Sequence, residues 1–376
     1  MNGLEDMIRR ARFLLVALAI SSSCLAASRA IADTVVDMWI GGRFDNRIDI
    51  VVLGDGYRAA QMTKFAADAT TFMNAFFAEQ PLKSYKKYFN VRRINTPSVL
   101  SGAGTAPGRN TVYSSYFFCN GLDRLLCADN NKVQAILSKN LPAAKREVVI
   151  VLVNDTRYGG SGGAIAVASM HVYAKELALH ELGHSFGNLD DEYDYGTCQT
   201  SGAWGFNVTR QTVRARIPWT KWIPAATPVP TPTDRGVGLY RGAYYCTTGW
   251  YRPTFDSKMR TLERPFQSVN GEQLIRRIYQ FVNSIDAVSP TVASVRLTPG
   301  TQRIFTVVPI NPASATLRYA WRLGGVLIST GKTATVRYAD VSVAKQLQLI
   351  VTDATAQVRN DPANDRIDRR NWTVSR

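Results

Sequence analysis

The sequence predicts an α/β domain followed by a smaller all-β sandwich. Three observations carry this. Two strongly apolar runs, residues 49–53 (DIVVL) and 147–154 (EVVIVLVN), read as buried strands. Between them, Phe65, Ala69, Phe72, Met73 and Phe76 recur at helical spacing within residues 59–77. Strands alternating with helices imply an α/β layer arrangement. Beyond Pro290, short segments rich in Val, Ile, Leu and Thr alternate with turn residues instead.

At 376 residues and 45% apolar content the chain is long enough for a full core and a second, smaller unit, and its composition is not that of a disordered protein. Residues 1–32 read as an export signal: Arg9, Arg10 and Arg12 precede the apolar run 13–20, and small residues end in Ala30-Ile31-Ala32 ahead of Asp33, the expected cleavage point. The apolar run is broken by Ser21, Ser22 and Ser23 and is short for a bilayer span, so no integral membrane segment is expected in the mature chain. Lipid attachment at Cys24 is disfavoured, because Ser21 stands where a lipoprotein signal usually carries leucine. The mature protein is expected outside the cytoplasm, extracellular or periplasmic.

Four cysteines remain after the leader: Cys119, Cys127, Cys198 and Cys246. An even number in an oxidising compartment points to disulfides. Cys119 and Cys127 flank a short loop, which would leave Cys198 with Cys246, while three connectivities remain open on the sequence alone. The leader holds four arginines and two acids, which leaves about +14 of the formal net charge of +16. The basic residues are scattered and no nucleic-acid motif accompanies them, so no nucleic-acid partner is expected.

Along the mature chain, the strand at 49–53 is bounded by the turn formers Gly54-Asp55-Gly56, and the helix over 59–77 follows. After the second strand comes the glycine-rich stretch 158–163, expected to be a flexible loop. It lacks the Gly-Lys-Ser/Thr ending of a phosphate loop and leads into a weaker strand over 165–170. Residues 195–265 are irregular, with prolines concentrated at 227–233. Leu274, Ile278, Phe281, Val282 and Ile285 restore helical periodicity over 271–285, and Ser289-Pro290 marks a boundary. Three parts are therefore expected: the leader 1–32; a catalytic domain 33–289, with an α/β portion to about residue 145 and a motif-bearing portion to 289; and an immunoglobulin-like β-sandwich at 290–376.

The chain's three histidines are His171, His180 and His184, and two of them fall in His180-Glu181-Leu182-Gly183-His184. Four residues apart on a helix, both imidazoles project from one face and reach a single ion, with Glu181 beside them. Gly187 is suited to end the helix in a left-handed turn, and Asp190 follows six positions after His184, so the returning chain presents a carboxylate. Asp191 and Glu192 are the neighbouring alternatives to Asp190. Two imidazoles and one carboxylate leave one Zn²⁺ an open position, as a catalytic site requires. Glu181 is then the general base that takes a proton from water and passes it to the leaving amine, without a covalent enzyme intermediate. His171 lies outside the helical pair and reads as a hydrogen-bonded or surface residue.

The stretch HELGHSFGNLD, His180 to Asp190, resembles the extended zinc motif of the metzincin clan in its aspartate form. Its continuation Asp191-Glu192-Tyr193 is similar to that of the IgA-peptidase family of bacterial zinc metallopeptidases, as are residues 49–57, Asn154 and Tyr158-Gly159-Gly160. The resemblance spans most of 33–286 and implies a metzincin-like fold and a protein or peptide substrate. It also implies a methionine turn beneath the zinc, at Met259, and a cleft edge at 165–170 that pairs with extended substrate. Some clan members place a tyrosine two residues after that methionine; Thr261 stands here, which leaves Tyr193 or Tyr251 as the stabiliser of the transition state. Trp219, Trp222 and Trp250 are candidates either for subsites or for core packing. The expected function is a secreted zinc endopeptidase. Its alternatives are an inactive binding protein on the same fold and a zinc amidase acting on cell-wall peptides.

Overall fold

The apolar run at 49–53 lies at the centre of a mixed six-stranded sheet in the computed structural model, which describes residues 33–198 and 205–376. The expected export signal at 1–32 lies outside the described residues. Eight strands belong to the first part of the chain: β1 (Thr34–Ile40), β2 (Ile48–Asp55), β3 (Phe89–Asn95), β4 (Tyr116–Phe117), β5 (Leu126–Cys127), β6 (Val148–Val153), β7 (Gly160–Ser161) and β8 (Ala166–Ser169). The sheet runs β1-β3-β2-β6-β8-β7, with β3, β2, β6 and β8 parallel and the edge strands β1 and β7 antiparallel.

All eight residues of β2 are buried. Ile48, Ile50 and Val52 face one core, while Val51 and Leu53 face another on the opposite side. A strand covered on both faces reads as a continuous apolar run, which is why it was legible. Helix α1 (Met62–Phe76) buries Phe65, Ala69, Phe72, Met73 and Phe76 in the first core. Helix α2 (Asn130–Asn140) starts at Asp129, whose carboxylate accepts from the amides of Asn131 and Lys132, and lays Val133 and Leu137 on the second core. Helices α3 (Ala174–Ser185) and α4 (Gln267–Phe281) join α1 on the first face through Ala178, Leu182, Leu274 and Ile278.

The periodicity that extended a helix to 285 overshoots. Helix α4 ends at Phe281, and Ile285 opens a strand that runs to Ser289. The glycine-rich 158–163 is not wholly a loop, since Gly160 and Ser161 form β7 against Ala168 and Val167. In the irregular region, β9 (Tyr240–Ala243) and β10 (Cys246–Arg252) make a hairpin. Trp219 and Trp222 pack with Ile217, Ile223, Leu239 and Val269, and Trp250 packs with Val208 and Ala243.

The last part of the chain carries β11 (Ile285–Ser289), β12 (Ser294–Arg296), β13 (Gln302–Pro309), β14 (Leu317–Leu323), β15 (Val326–Ser329), β16 (Thr333–Arg337), β17 (Lys345–Asp353) and β18 (Ile367–Ser375). They form a three-stranded sheet, β11-β13-β16, and a five-stranded sheet, β12-β18-β17-β14-β15. Phe305 and Val336 from the first and Trp321, Leu349 and Trp372 from the second share one core. Because β11 pairs with β13, this two-sheet part begins before Pro290. It is fixed to the rest by polar contacts: Tyr85 and Tyr279 donate to Asp353 at 2.5 and 2.9 Å, and Arg47 pairs with Asp286 at 2.8 Å. Residues from Asp33 to Arg376 thus form one compact unit. Among the described residues no helix is long and apolar enough to cross a membrane.

Candidate active site

Helix α3 brings His180 and His184 one turn apart, with their Nε2 atoms 3.1 Å from each other. Each imidazole is oriented by a backbone carbonyl. His180 Nδ1–H donates to Lys258 O at 2.9 Å, and His184 Nδ1–H donates to Leu189 O at 2.7 Å. A carbonyl can only accept, so the proton sits on Nδ1 and both Nε2 lone pairs are left for a ligand.

The Lys258 carbonyl is itself held firmly. The Lys258 side chain is 1% exposed and its ammonium pairs with Glu176 at 2.5 Å and Glu79 at 3.4 Å. Next to it, Met259 is fully buried against Gly183, where an added Cβ would stand 2.4 Å from the methionine sulfur. Glycine at 183 is therefore demanded by the close approach of the turn to the helix. Glu192 closes the arrangement: its amide donates to Met259 O, and its buried carboxylate accepts from Ser257, Asn207 and Asn270.

The third group differs from the spacing expectation. Asp191 Oδ1, not an Asp190 oxygen, lies 3.0 Å from His180 Nε2 and 3.2 Å from His184 Nε2. The reason is where the helix ends. The left-handed residue is Asn188 (φ 52°), one position beyond Gly187, and its amide donates to His184 O at 3.0 Å in a helix-terminating bond. The returning chain is correspondingly displaced by one residue. Asp190 turns away, its amide donating to Asn207 Oδ1 at 2.8 Å and its carboxylate accepting from the Gly205 amide. Glu192 is committed to the Ser257 and Asn270 network, and His171 packs between Tyr158 and Tyr173 outside the cluster.

Tyr245, which spacing and motif left unnoticed, completes the cluster. Its hydroxyl donates to Asp191 Oδ2 and accepts from Tyr193 at 3.2 Å. It occupies the two-residue turn between β9 and β10, where Tyr244 and Tyr245 both have positive φ (52° and 63°). Such turns favour Asn and Gly, and two tyrosines there store backbone strain. The turn is pinned to the metal-facing segment: Tyr244 N donates to Asp191 O at 2.9 Å and Tyr245 N to Tyr193 O at 3.1 Å, and the disulfide Cys198–Cys246 ties the hairpin to the same segment. The second disulfide is Cys119–Cys127. A pair of aromatic residues ahead of a cysteine is the sole sequence trace of this arrangement.

The electrostatics follow from the geometry. Burial works against charge on Asp191, yet the neighbouring His180 and His184 rings and the Tyr245 hydroxyl hold its carboxyl far below the usual carboxylate range. Burial alone would lower the His184 pKa, but the Asp191 carboxylate outweighs it and raises the value to about 9, so a proton competes with a cation for Nε2. The donors suit a cation: His180, His184 and Asp191 each offer one atom, all within 4.8 Å of one another. Among the described residues, buried Asp191 Oδ1 has no hydrogen-bond donor, although it faces both Nε2 atoms. An orphaned buried carboxylate oxygen between two oriented imidazoles is the donor set of a divalent transition metal.

The cluster opens into a cleft of about 710 Å³ lined by Glu181, Tyr158, Tyr193, Tyr195, Leu177 and Arg260 among others. Glu181 sits against Gly162, where a Cβ would come within 1.8 Å of its carboxylate. Residues 165–170 are not the cleft's edge. Strand β8 is paired on both sides, by β6 and β7, because the glycine-rich stretch folds back on it. The three tryptophans lie in the cores already described rather than in this lining.

A helix with two outward imidazoles, a carboxylate facing them and a free glutamate in an open cleft define a hydrolase site of the metallopeptidase kind. The pattern of the IgA peptidase M64 family matches residues 37–237, more than half of the chain, and the chain belongs to this family of peptidases. No curated protein matches it.

Proposed function

We propose that the chain is a secreted zinc-dependent endopeptidase in which His180, His184 and Asp191 hold one zinc ion and Glu181 is the general base. The observation that carries this reading is the orphaned Asp191 Oδ1 facing the two Nε2 atoms, with Glu181 on the cleft side of the same helix. Zinc, when bound, supplies Lewis acidity, polarising a carbonyl and acidifying water in its coordination sphere. Glu181 accepts the proton of the attacking water and delivers it to the amine that leaves. Gly162 leaves that carboxylate room. Tyr193 lines the cleft and would donate its hydroxyl proton to the oxyanion by exchanging its 3.2 Å bond to Tyr245 for it. Met259 is the buried floor under the helix. The leader read from residues 1–32 and the two disulfides support export. We read the first part as metzincin-like and the two-sheet part as an immunoglobulin-like sandwich.

Cleavage of a mixed peptide library by the purified protein tests the reading. Cleavage is expected to vanish after metal stripping with a chelator and to return with added zinc. Cleavage that survives complete removal of metal would overturn it.

Tyr245 supports the metal through Asp191, and groups in that position typically contribute 10–100-fold to metal affinity, which sets the expectation for Tyr245→Phe at about 10–100-fold weaker zinc binding. The ring stays, so the hairpin turn and the disulfide are expected to be retained. Competition against a coloured chelator measures the affinity, and an unchanged value would show that the hydroxyl does not hold Asp191.

A further inference from the structure

Among the described residues, the charged residues lining the cleft apart from Glu181 and Asp191 are two arginines, Arg124 and Arg260. They come from separate parts of the chain. Arg124 belongs to the loop closed by the Cys119–Cys127 disulfide, next to Leu125, which bridges to Gly160 of β7. Arg260 follows Met259 in the turn beneath the zinc helix.

Both cations are poorly satisfied. Arg124 is exposed, and its guanidinium has no ion pair or hydrogen bond among the described residues. By contrast, its neighbour Arg157 pairs with Asp123 and lies over Phe117 and Phe118. Arg260 reaches Asp194 and Asp256 only at 3.6 and 3.9 Å, and Asp256 already pairs with Arg264 at 3.1 Å. The Nε of Arg260 is buried without an acceptor among the described residues. A guanidinium with distant, shared carboxylates is open to a short, planar pair with a carboxylate brought from outside.

The charge sum of the cleft points the same way. With a divalent ion in place, the charges of Glu181 and Asp191 are balanced; Arg260 is only partly offset by Asp194 and Asp256, and Arg124 has no carboxylate among the described residues, so a local excess of positive charge remains. A lysine or arginine side chain of a substrate would meet that excess unpaired, whereas an aspartate or glutamate would relieve it.

We propose that this cleft selects peptides with an acidic side chain near the scissile bond, held by Arg260 and Arg124. The proposal rests on the peptidase reading of the site. It is tested with the zinc-loaded Glu181→Gln protein, which retains the cleft, titrated calorimetrically with capped octapeptides that carry Asp, Asn or Lys at each position in turn on one neutral background. Cleavage of the same set by the unsubstituted protein is followed in parallel.

The Asp peptides are expected to bind about tenfold more tightly than the Asn peptides at one or two positions, the value of a charge-assisted hydrogen bond. The Lys peptides are expected to bind weakest, and the advantage of Asp is expected to shrink between about 50 and 300 mM salt. Arg124→Gln, at an exposed and unpaired residue, tests the preference without endangering the fold; Arg124→Glu is expected to reverse it at one position. Arg260→Lys separates the loss of a planar pair from the loss of charge.

Equal affinities for Asp, Asn and Lys peptides, or an Asp preference that neither arginine substitution changes, would overturn the proposal. Binding with an arginine-dependent Asp preference but no cleavage by the unsubstituted protein would sink the hydrolytic reading and leave this one standing. Cleavage indifferent to charge would do the reverse.

Discussion

Replacing Glu181 with Gln is expected to lower kcat by about a thousandfold, within the range general acid–base catalysis supplies, with KM nearly unchanged and zinc still bound. The amide keeps the size of the side chain and its place against Gly162, so neither helix α3 nor the cleft should change shape. What is lost is a group that accepts a proton in the transition state and returns it to the leaving amine. Such an interaction is made only as the reaction proceeds, which is why kcat rather than KM should carry the loss. Steady-state kinetics on a single cleaved peptide, with metal content measured on the same sample, decides the matter. A loss below tenfold with zinc in place would remove Glu181 from the role of base. A large loss accompanied by loss of zinc would mean that the substitution had disturbed the metal site instead.

The parts of the fold that were legible are those that depend on neighbours in the sequence. Strand β2 is apolar throughout because both of its faces are covered, and α1 shows the five residues it buries at the expected spacing. The pairing of His180 with His184 is also local, since one turn of helix aligns them whatever the rest of the chain does. Features that depend on distant segments were not legible. Ile285 continues the apolar spacing of α4 but is claimed by a strand pairing with Pro309. Strand β8 reads as an edge until the glycine-rich segment doubles back to pair with it. Tyr245 lies 54 residues from Asp191 and reaches it through a hairpin turn that no turn-forming sequence announces. The tryptophans belong to cores assembled from the irregular region, where periodicity carries no signal.

Asp191→Asn is expected to weaken zinc binding by at least about a hundredfold, more than the loss of an outer partner such as Tyr245, whereas Asp190→Asn should leave metal affinity within a few-fold of the unsubstituted protein. Motif spacing singles out Asp190, so the two substitutions separate spacing from geometry. Asn188 in the left-handed conformation puts Asp191 where a carboxylate can meet both imidazoles, and leaves Asp190 bonded to the Gly205 amide. Asp190→Asn keeps an oxygen for that amide, so its cost should fall on the local loop rather than on the ion. Asp191→Asn also leaves an oxygen for Tyr245 but removes the negative charge that, with two neutral imidazoles, favours a divalent cation. Zinc affinity by chelator competition, supported by thermal melting with and without zinc, distinguishes the outcomes, because a ligand bound only by the folded state raises the melting temperature in proportion to its affinity on a logarithmic scale. Zinc protection lost in Asp190→Asn and kept in Asp191→Asn would restore the spacing assignment. It would require the segment after α3 to shift by one residue when the metal binds.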